Sequence, residues 1–175
     1  MGPKEIIEIY KGFFKDEKTT WERISVDIER ENSWMIYIIG VVLSGFFILL
    51  GFSLHGEIAK GFISFVLFVA IQLALLYPCK YLLKILLNLT SDTDPIKFLH
   101  YGLLPFWLGF IITIIPFLFL WIFAVLFSSI YTAIILQKGG VPILKIPSSL
   151  TYRLLIVPIL YGIMTILFFI IVWSV

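Results

Sequence analysis

The forty residues from Phe98 to Gln137 contain no Asp, Glu, Lys or Arg. As one helix this stretch would be about 60 Å long at 1.5 Å per residue, which is twice the roughly 30 Å hydrocarbon core of a bilayer. Tilt does not absorb so large an excess. Pro116 favours a turn, because it lacks a backbone donor and biases the preceding residue away from helical geometry. The sequence therefore predicts two helices joined by a tight turn at Thr113–Phe117.

Three other apolar runs are long enough to cross a membrane. The composition agrees: 61% of the residues are hydrophobic and 14% charged, whereas soluble domains carry about 25% charged residues. The predicted fold class is an all-α polytopic membrane protein with five transmembrane helices, preceded by interfacial amphipathic helices at the N-terminus. The predicted units are a cytosolic segment at 1–33 and a bundle at 34–175, with spans at about 34–54, 61–87, 97–115, 116–137 and 153–175.

The basic residues support five spans rather than four. With five spans, twelve of the thirteen Lys and Arg residues fall on one side of the membrane and only Lys60 on the other. With four spans, Lys138, Lys145 and Arg153 would change sides. Because cytoplasmic loops are enriched in Lys and Arg, we expect a cytoplasmic N-terminus and an external C-terminus in the cell (inner) membrane.

The segment before the first span predicts two short amphipathic helices on the inner membrane surface. Pro3 suits the first position of one helix, and Thr19 with Glu22 fits a capping box at the start of the other. Their apolar side chains either cap the base of the bundle or bind a partner, and both roles can hold together. The candidate partner-binding residues are Phe13, Phe14, Trp21 and Ile24.

Catalytic and metal-binding patterns are hard to find. His55 and His100 fall at opposite membrane faces in the predicted topology, and His55 with Glu57 offers two metal ligands where three or four are needed. The net charge of +2 gives no indication of nucleic-acid binding. We expect no enzymatic activity, no catalytic or metal-ligating residues, no cofactor and no nucleic-acid partner.

Charged and proline residues in the spans are the remaining candidates. Lys80 and Lys84 share a helix face and are either functional or extend to the interface, as does Arg153. Prolines occur in spans two to five and either shape the packing or form a cavity; they are Pro78, Pro105, Pro116 and Pro158.

Several short motifs resemble one family. They are the amphipathic N-terminal region with "FFKDEKTTWERI", the "YGLLP" of Tyr101, Gly102 and Pro105, the Pro116 and Trp121 of the hairpin, and Gly140, Pro142 and Lys145 before the last span. Together with five spans they resemble the Yip domain family, the Ypt/Rab-interacting integral membrane proteins. The eukaryotic "DLYGP" signature is absent, so the likeness is to prokaryotic-type members. The resemblance implies a non-enzymatic membrane protein that binds other proteins and organises membrane, as in trafficking.

Two functional hypotheses follow. The first is a membrane-organising or partner-binding scaffold, whose partners are the lipid bilayer and a membrane or cytosolic protein; a homo-oligomer is left open. The alternative is a small permease or channel subunit for a small solute or anion, with Lys80 and Lys84 along the path. In addition to these lysines, the candidate residues within the membrane are Tyr101, Gly102, Pro105, Pro116 and Arg153.

Overall fold

The computed structural model describes residues 3–27, 33–90, 93, 95–115 and 117–174. Regular structure in these residues is helical throughout. The helices are α1 (Pro3–Lys15), α2 (Glu17–Asp27), α3 (Ser33–Leu54), α4 (Ile58–Leu87), α5 (Pro95–Gly102), α6 (Leu104–Leu108), α7 (Leu118–Leu144) and α8 (Ile156–Ser174), with 3₁₀ segments at Gly109–Ile114 and Ser148–Leu155.

Five helical stretches are long and apolar enough to cross a membrane: Ser33–Leu54, Ile58–Leu87, Pro95–Ile114, Leu118–Leu144 and Ser148–Ser174. The prediction of an all-α, multi-pass membrane protein is thereby confirmed. The charge-free stretch forms two of these spans, because helical structure stops at Ile114 and resumes at Leu118 with extended backbone at Ile115 and Phe117. The Trp121 indole N–H donates to the Ile115 carbonyl at 2.7 Å and closes this turn. Pro116 lies outside the described residues.

The ends of some elements differ from the prediction. The fourth span continues past Gln137 to Leu144, because Gly139 and Gly140 pack against other side chains of the protein and therefore do not form a loop. The fifth span begins with 3₁₀ structure at Ser148. The predicted capping box at Thr19 is wrong: α2 begins at Glu17, and Asp16 is the cap, accepting from the Thr19 N–H at 3.2 Å.

The third span is the centre of the bundle. Of its most apolar 18-residue stretch, 72% is buried inside the protein, against 28% for the second span. It contacts α3, α4 and α7, and it is broken at Leu103, between α5 and α6. Pro105 explains the break, because it has no N–H to donate to the carbonyl of Tyr101 four residues earlier.

Aromatic rings fill the space around this broken span. Phe110 lies 5.0 Å from Phe68 between ring centroids, and Phe106 lies 5.9 Å from Tyr161. Trp107 contacts the rings of Tyr37, Phe68 and Tyr161 as well. Because aromatic pairs at such distances add to the stabilisation from burial, the third span is fixed by side-chain packing from several helices at once.

The bundle has two chemically different ends. The basic end, as we name it here, comprises α1, α2, the last turns of α4, the start of α5 and residues 138–155. The opposite end comprises the turn at 55–57 and the facing helix ends at Ile115 and Phe117. In the first of these, Gly56 has φ +82°, a value that glycine adopts without strain. Among the described Lys and Arg residues, Lys60 alone lies at the opposite end.

Candidate functional site

The first group of candidate residues lies at the junction of the N-terminal helices with the bundle. Phe13, Trp21 and Ile24 are 1%, 0% and 2% exposed. These three side chains therefore pack inside the protein, as expected if the helices cap the base of the bundle, and they form no surface for a partner in this structure. Phe14, by contrast, is 64% exposed.

Trp21 occupies a slot between α5 and α7. A Cβ atom added at Gly139 would lie 2.3 Å from the indole ring, so only glycine leaves room for this side chain. The Trp21 ring centroid lies 5.3 Å from that of Phe98, and its Nε1–H donates to the Ile135 carbonyl at 2.9 Å. Burial, a hydrogen bond and a glycine contact together attach α2 to the fourth span.

The last turn of α1 also contacts the side of α7. The Tyr131 hydroxyl donates to the Phe13 carbonyl at 2.7 Å, and the Phe14 ring stacks on the Tyr131 ring at 5.1 Å with 15° between the planes. Among the described side chains of the two helices, the charged ones are exposed, and Arg23 pairs with Glu8 at 3.5 Å. We name the exposed set Glu8, Lys11, Lys15, Glu22 and Arg23 the charged platform.

The basic residues near the last turns of α4 have different positions. Lys80 and Lys84 are half-buried and follow the buried Cys79 and Leu83 along α4, so they flank the helix face that packs on the bundle. In the described part of the chain, the residues buried between the helices are largely apolar and aromatic. The permease alternative stays a prediction.

Arg153 has a specific structural partner. Its guanidinium Nη1 donates to the carbonyl of Leu86 in the last turn of α4. The last carbonyls of a helix have no partner within the helix, and a cationic donor there also compensates the helix dipole. Arg153 therefore caps α4 from the start of the fifth span, a role that the predicted extension to the interface did not include.

The "YGLLP" motif lies where the third span breaks. Tyr101, Gly102 and Pro105 are all buried. A Cβ added at Gly102 would lie 2.2 Å from Leu136 Cδ2, so this glycine permits close approach of α5 to α7. Pro105 lies in the first turn of α6. Backbone N–H groups at this position have no acceptor within the helix, so proline is tolerated there. The structure thus gives these three residues packing roles.

A buried polar network that the sequence prediction missed connects three spans. The Tyr37 hydroxyl donates to the backbone carbonyl of Gln72 at 2.7 Å and lies 3.0 Å from the Tyr161 hydroxyl. The Gln72 side chain donates to Thr165 Oγ1 at 2.9 Å. Polar residues within a membrane span usually face the bundle interior and hydrogen-bond across helices. Gln72 was a detectable candidate, since it is the one amide side chain in the second span.

A second polar contact lies nearer the basic end. Ser33 Oγ and His100 Nδ1 are 2.8 Å apart, at hydrogen-bonding distance, and both residues are buried. The His100 ring lies 5.0 Å from the Tyr37 ring, so this pair adjoins the network. His55 is at the opposite end, as predicted, and among the described residues no group of three or more His, Cys, Asp or Glu side chains could hold a metal ion.

The geometry thus divides the candidates into three sets: an N-terminal unit attached by Trp21, a cap at Arg153, and a polar network in the bundle interior. The first leaves a charged surface exposed; the other two hold helices together. No family model matches this chain, and neither a curated protein nor a solved structure matches it.

Proposed function

We propose that this protein is a non-enzymatic membrane scaffold, which binds a protein partner through the charged platform and acts in the manner that its resemblance to the Yip domain family implies. The observation that carries the proposal is the construction of the platform. The α1–α2 unit buries Phe13, Trp21 and Ile24 in the bundle while the charged platform remains exposed. A surface fixed in this way loses little conformational entropy when it binds.

The orientation belongs to the same proposal. Eleven of the twelve Lys and Arg residues within the described ranges are at the basic end, and cytoplasmic loops carry this excess. The basic end then faces the cytoplasm of a cell (inner) membrane, the C-terminus lies outside, and the charged platform meets cytosolic proteins or the cytosolic parts of membrane proteins.

Thiol labelling tests the orientation. In a Cys79→Ser background, an impermeant thiol reagent applied to intact cells should label Glu57→Cys but not Ser149→Cys, since both positions are exposed at different ends of the bundle. Gly139 would be a poor probe, because a side chain there meets the Trp21 ring. Labelling of Ser149→Cys from outside would invert the orientation and remove the platform from the cytoplasm.

Site-specific photocrosslinking tests the partner. A photoreactive amino acid at Lys11 or Arg23 should form a covalent adduct with one and the same protein in native membranes, whereas the same amino acid at Glu57 should not. Exchanging the charges, with Glu8→Arg and Arg23→Glu in one chain, preserves the ion pair but alters the surface, and should reduce the adduct formed from Lys11. If Lys11 and Arg23 give only lipid adducts, the platform has no protein partner and the proposal is wrong.

A further inference from the structure

A long groove separates α7 from α8 on the side of the bundle that faces lipid. Its volume is about 450 Å³. Ser129 and Gln137 are its polar lining residues, and the others are apolar or glycine. The lining consists of Leu126, Ser129, Ile130, Ala133, Ile134 and Gln137 from α7, of Leu155 at the end of the second 3₁₀ segment, and of Pro158, Ile159, Gly162, Ile163 and Ile166 from α8.

The groove exists because small residues form its floor while larger ones form its rims. Ala133 and Gly162 have little or no side chain, and a Cβ at Gly162 would lie 2.7 Å from Ser129 Oγ, so the two helices approach closely there. The rim residues Ile130 and Ile159 are 61% and 50% exposed. From Leu126 to Gln137 the groove extends about 16 Å along α7 at 1.5 Å per residue.

These dimensions select the occupant. A transmembrane helix is about 10 Å wide with side chains, so it would lie across the rims and could place only single side chains in a groove of about 450 Å³. A single acyl chain is narrow, apolar and already present in the surrounding bilayer. The groove therefore fits one lipid chain better than a helix from a second copy of this protein.

Charge at one end of the groove specifies the lipid class. Leu126, Ile130 and Ile134 are spaced four residues apart on α7, and the next position in that row is Lys138, which is exposed. Residues at this spacing are neighbours on one helix face. Gln137 lies at the same end, which is the basic end of the bundle. A phosphate at this end of the groove would meet a cation and an amide donor.

We propose that the groove binds one acyl chain of an anionic phospholipid, with the headgroup phosphate at Lys138 and Gln137. This site is separate from the charged platform, and it does not depend on the proposed partner binding. Its chemical requirements are an unobstructed groove floor at Ala133 and a positive charge at position 138.

Native mass spectrometry of the full chain in detergent, with phosphatidylglycerol added, tests the site. The wild-type chain should retain one phosphatidylglycerol molecule, and Ala133→Trp, which fills the floor, should lower retention roughly tenfold. Ile130→Trp, a second groove-filling variant, should lower retention as well. It changes an exposed rim residue, so it does not require the groove floor to accept a larger side chain. Ile171→Trp, on an exposed part of α8 outside the groove, is the matched control and should bind as the wild type does.

The headgroup is tested separately. Lys138→Gln should weaken retention of phosphatidylglycerol about fivefold and leave retention of phosphatidylcholine unchanged. Phosphatidylglycerol carrying a photoreactive acyl chain should label peptides that contain residues 126–137 or 155–166. Equal retention by the wild-type chain and both groove-filling variants would overturn the proposal. So would a wild-type dimer that both variants dissociate, because the occupant would then be a second copy.

Discussion

Truncation of Trp21 should release the N-terminal helices from the bundle. The side chain is 0% exposed and its indole N–H donates to the Ile135 carbonyl. Replacing a buried Trp by Ala typically costs about 3–5 kcal/mol. A cost of about 4 kcal/mol corresponds to a change of roughly 10³ in an equilibrium constant. Trp21→Ala should therefore raise the undocked fraction of α1 and α2 by about that factor.

Amide hydrogen exchange followed by mass spectrometry measures this equilibrium directly. Protection of the amides in α2 reports the free energy of local opening, and it should fall by up to about 10³-fold in Trp21→Ala while protection of α4 stays unchanged. Phe14→Ala is the matched control, because this aromatic side chain of the same unit is 64% exposed. Because Phe14→Ala removes only a stacked contact with Tyr131, we expect it to lower protection of α2 by no more than about tenfold.

The slot can also be closed from the side of α7. In the wild-type chain, Gly139→Ala should reduce protection of α2, because the new Cβ would lie 2.3 Å from the Trp21 ring. In the Trp21→Ala background the same glycine substitution should have almost no further effect, as expected of two residues in direct contact. Protection of α2 that is unchanged in Trp21→Ala, or glycine and tryptophan effects that simply add, would refute the slot.

Two further substitutions test contacts between spans, both by thermal unfolding in detergent. Arg153→Gln removes a charged donor from the Leu86 carbonyl and should lower the free energy of unfolding by about 1–2 kcal/mol. The control Lys145→Gln, at an exposed position, should lower it little. Equal effects of the two substitutions would argue against the cap. Tyr37→Phe removes the hydroxyl that contacts two partners and should lower the free energy of unfolding by about 0.6–1.7 kcal/mol. Its control is Tyr77→Phe, at an exposed position. A loss of stability no greater than in this control would contradict the network.

Length and hydropathy were sufficient to predict the membrane spans. The hairpin within 98–137 followed from the mismatch between an apolar stretch of 40 residues and one bilayer thickness, and the helices do stop on either side of Pro116. These predictions depend on the local sequence and on the thickness and apolarity of the bilayer, so they need no knowledge of tertiary contacts. The same reasoning ended the fourth span too early, because Gly139 and Gly140 resemble a loop when their packing partners are unknown.

The contacts within the candidate site were harder to predict from the sequence. The apolar periodicity placed Phe13, Phe14, Trp21 and Ile24 in one candidate set but did not decide which of them pack on the bundle, and Phe14 is exposed. Trp21 bonds to Ile135, 114 residues further along the chain, and Tyr37 reaches Tyr161 across 124 residues. Such pairs depend on which helices become neighbours, which hydrophobic patterning does not specify. The capping-box pattern at Thr19 and Glu22 is misleading because Asp and Thr both cap helices, and it is Asp16 that accepts the Thr19 N–H.

The buried position of the third span has a consequence for how the protein is made. Of the five spans it has the lowest mean hydropathy, so it gains the least from lipid when it leaves the translocation machinery. Its broken backbone between Gly102 and Leu104 is suited to protein neighbours rather than to lipid. Stable insertion of this span then requires the second hairpin helix and the first two spans beside it. Biogenesis would be cooperative at this step, and a defect in the fourth span would appear first as a third span that fails to stay in the membrane.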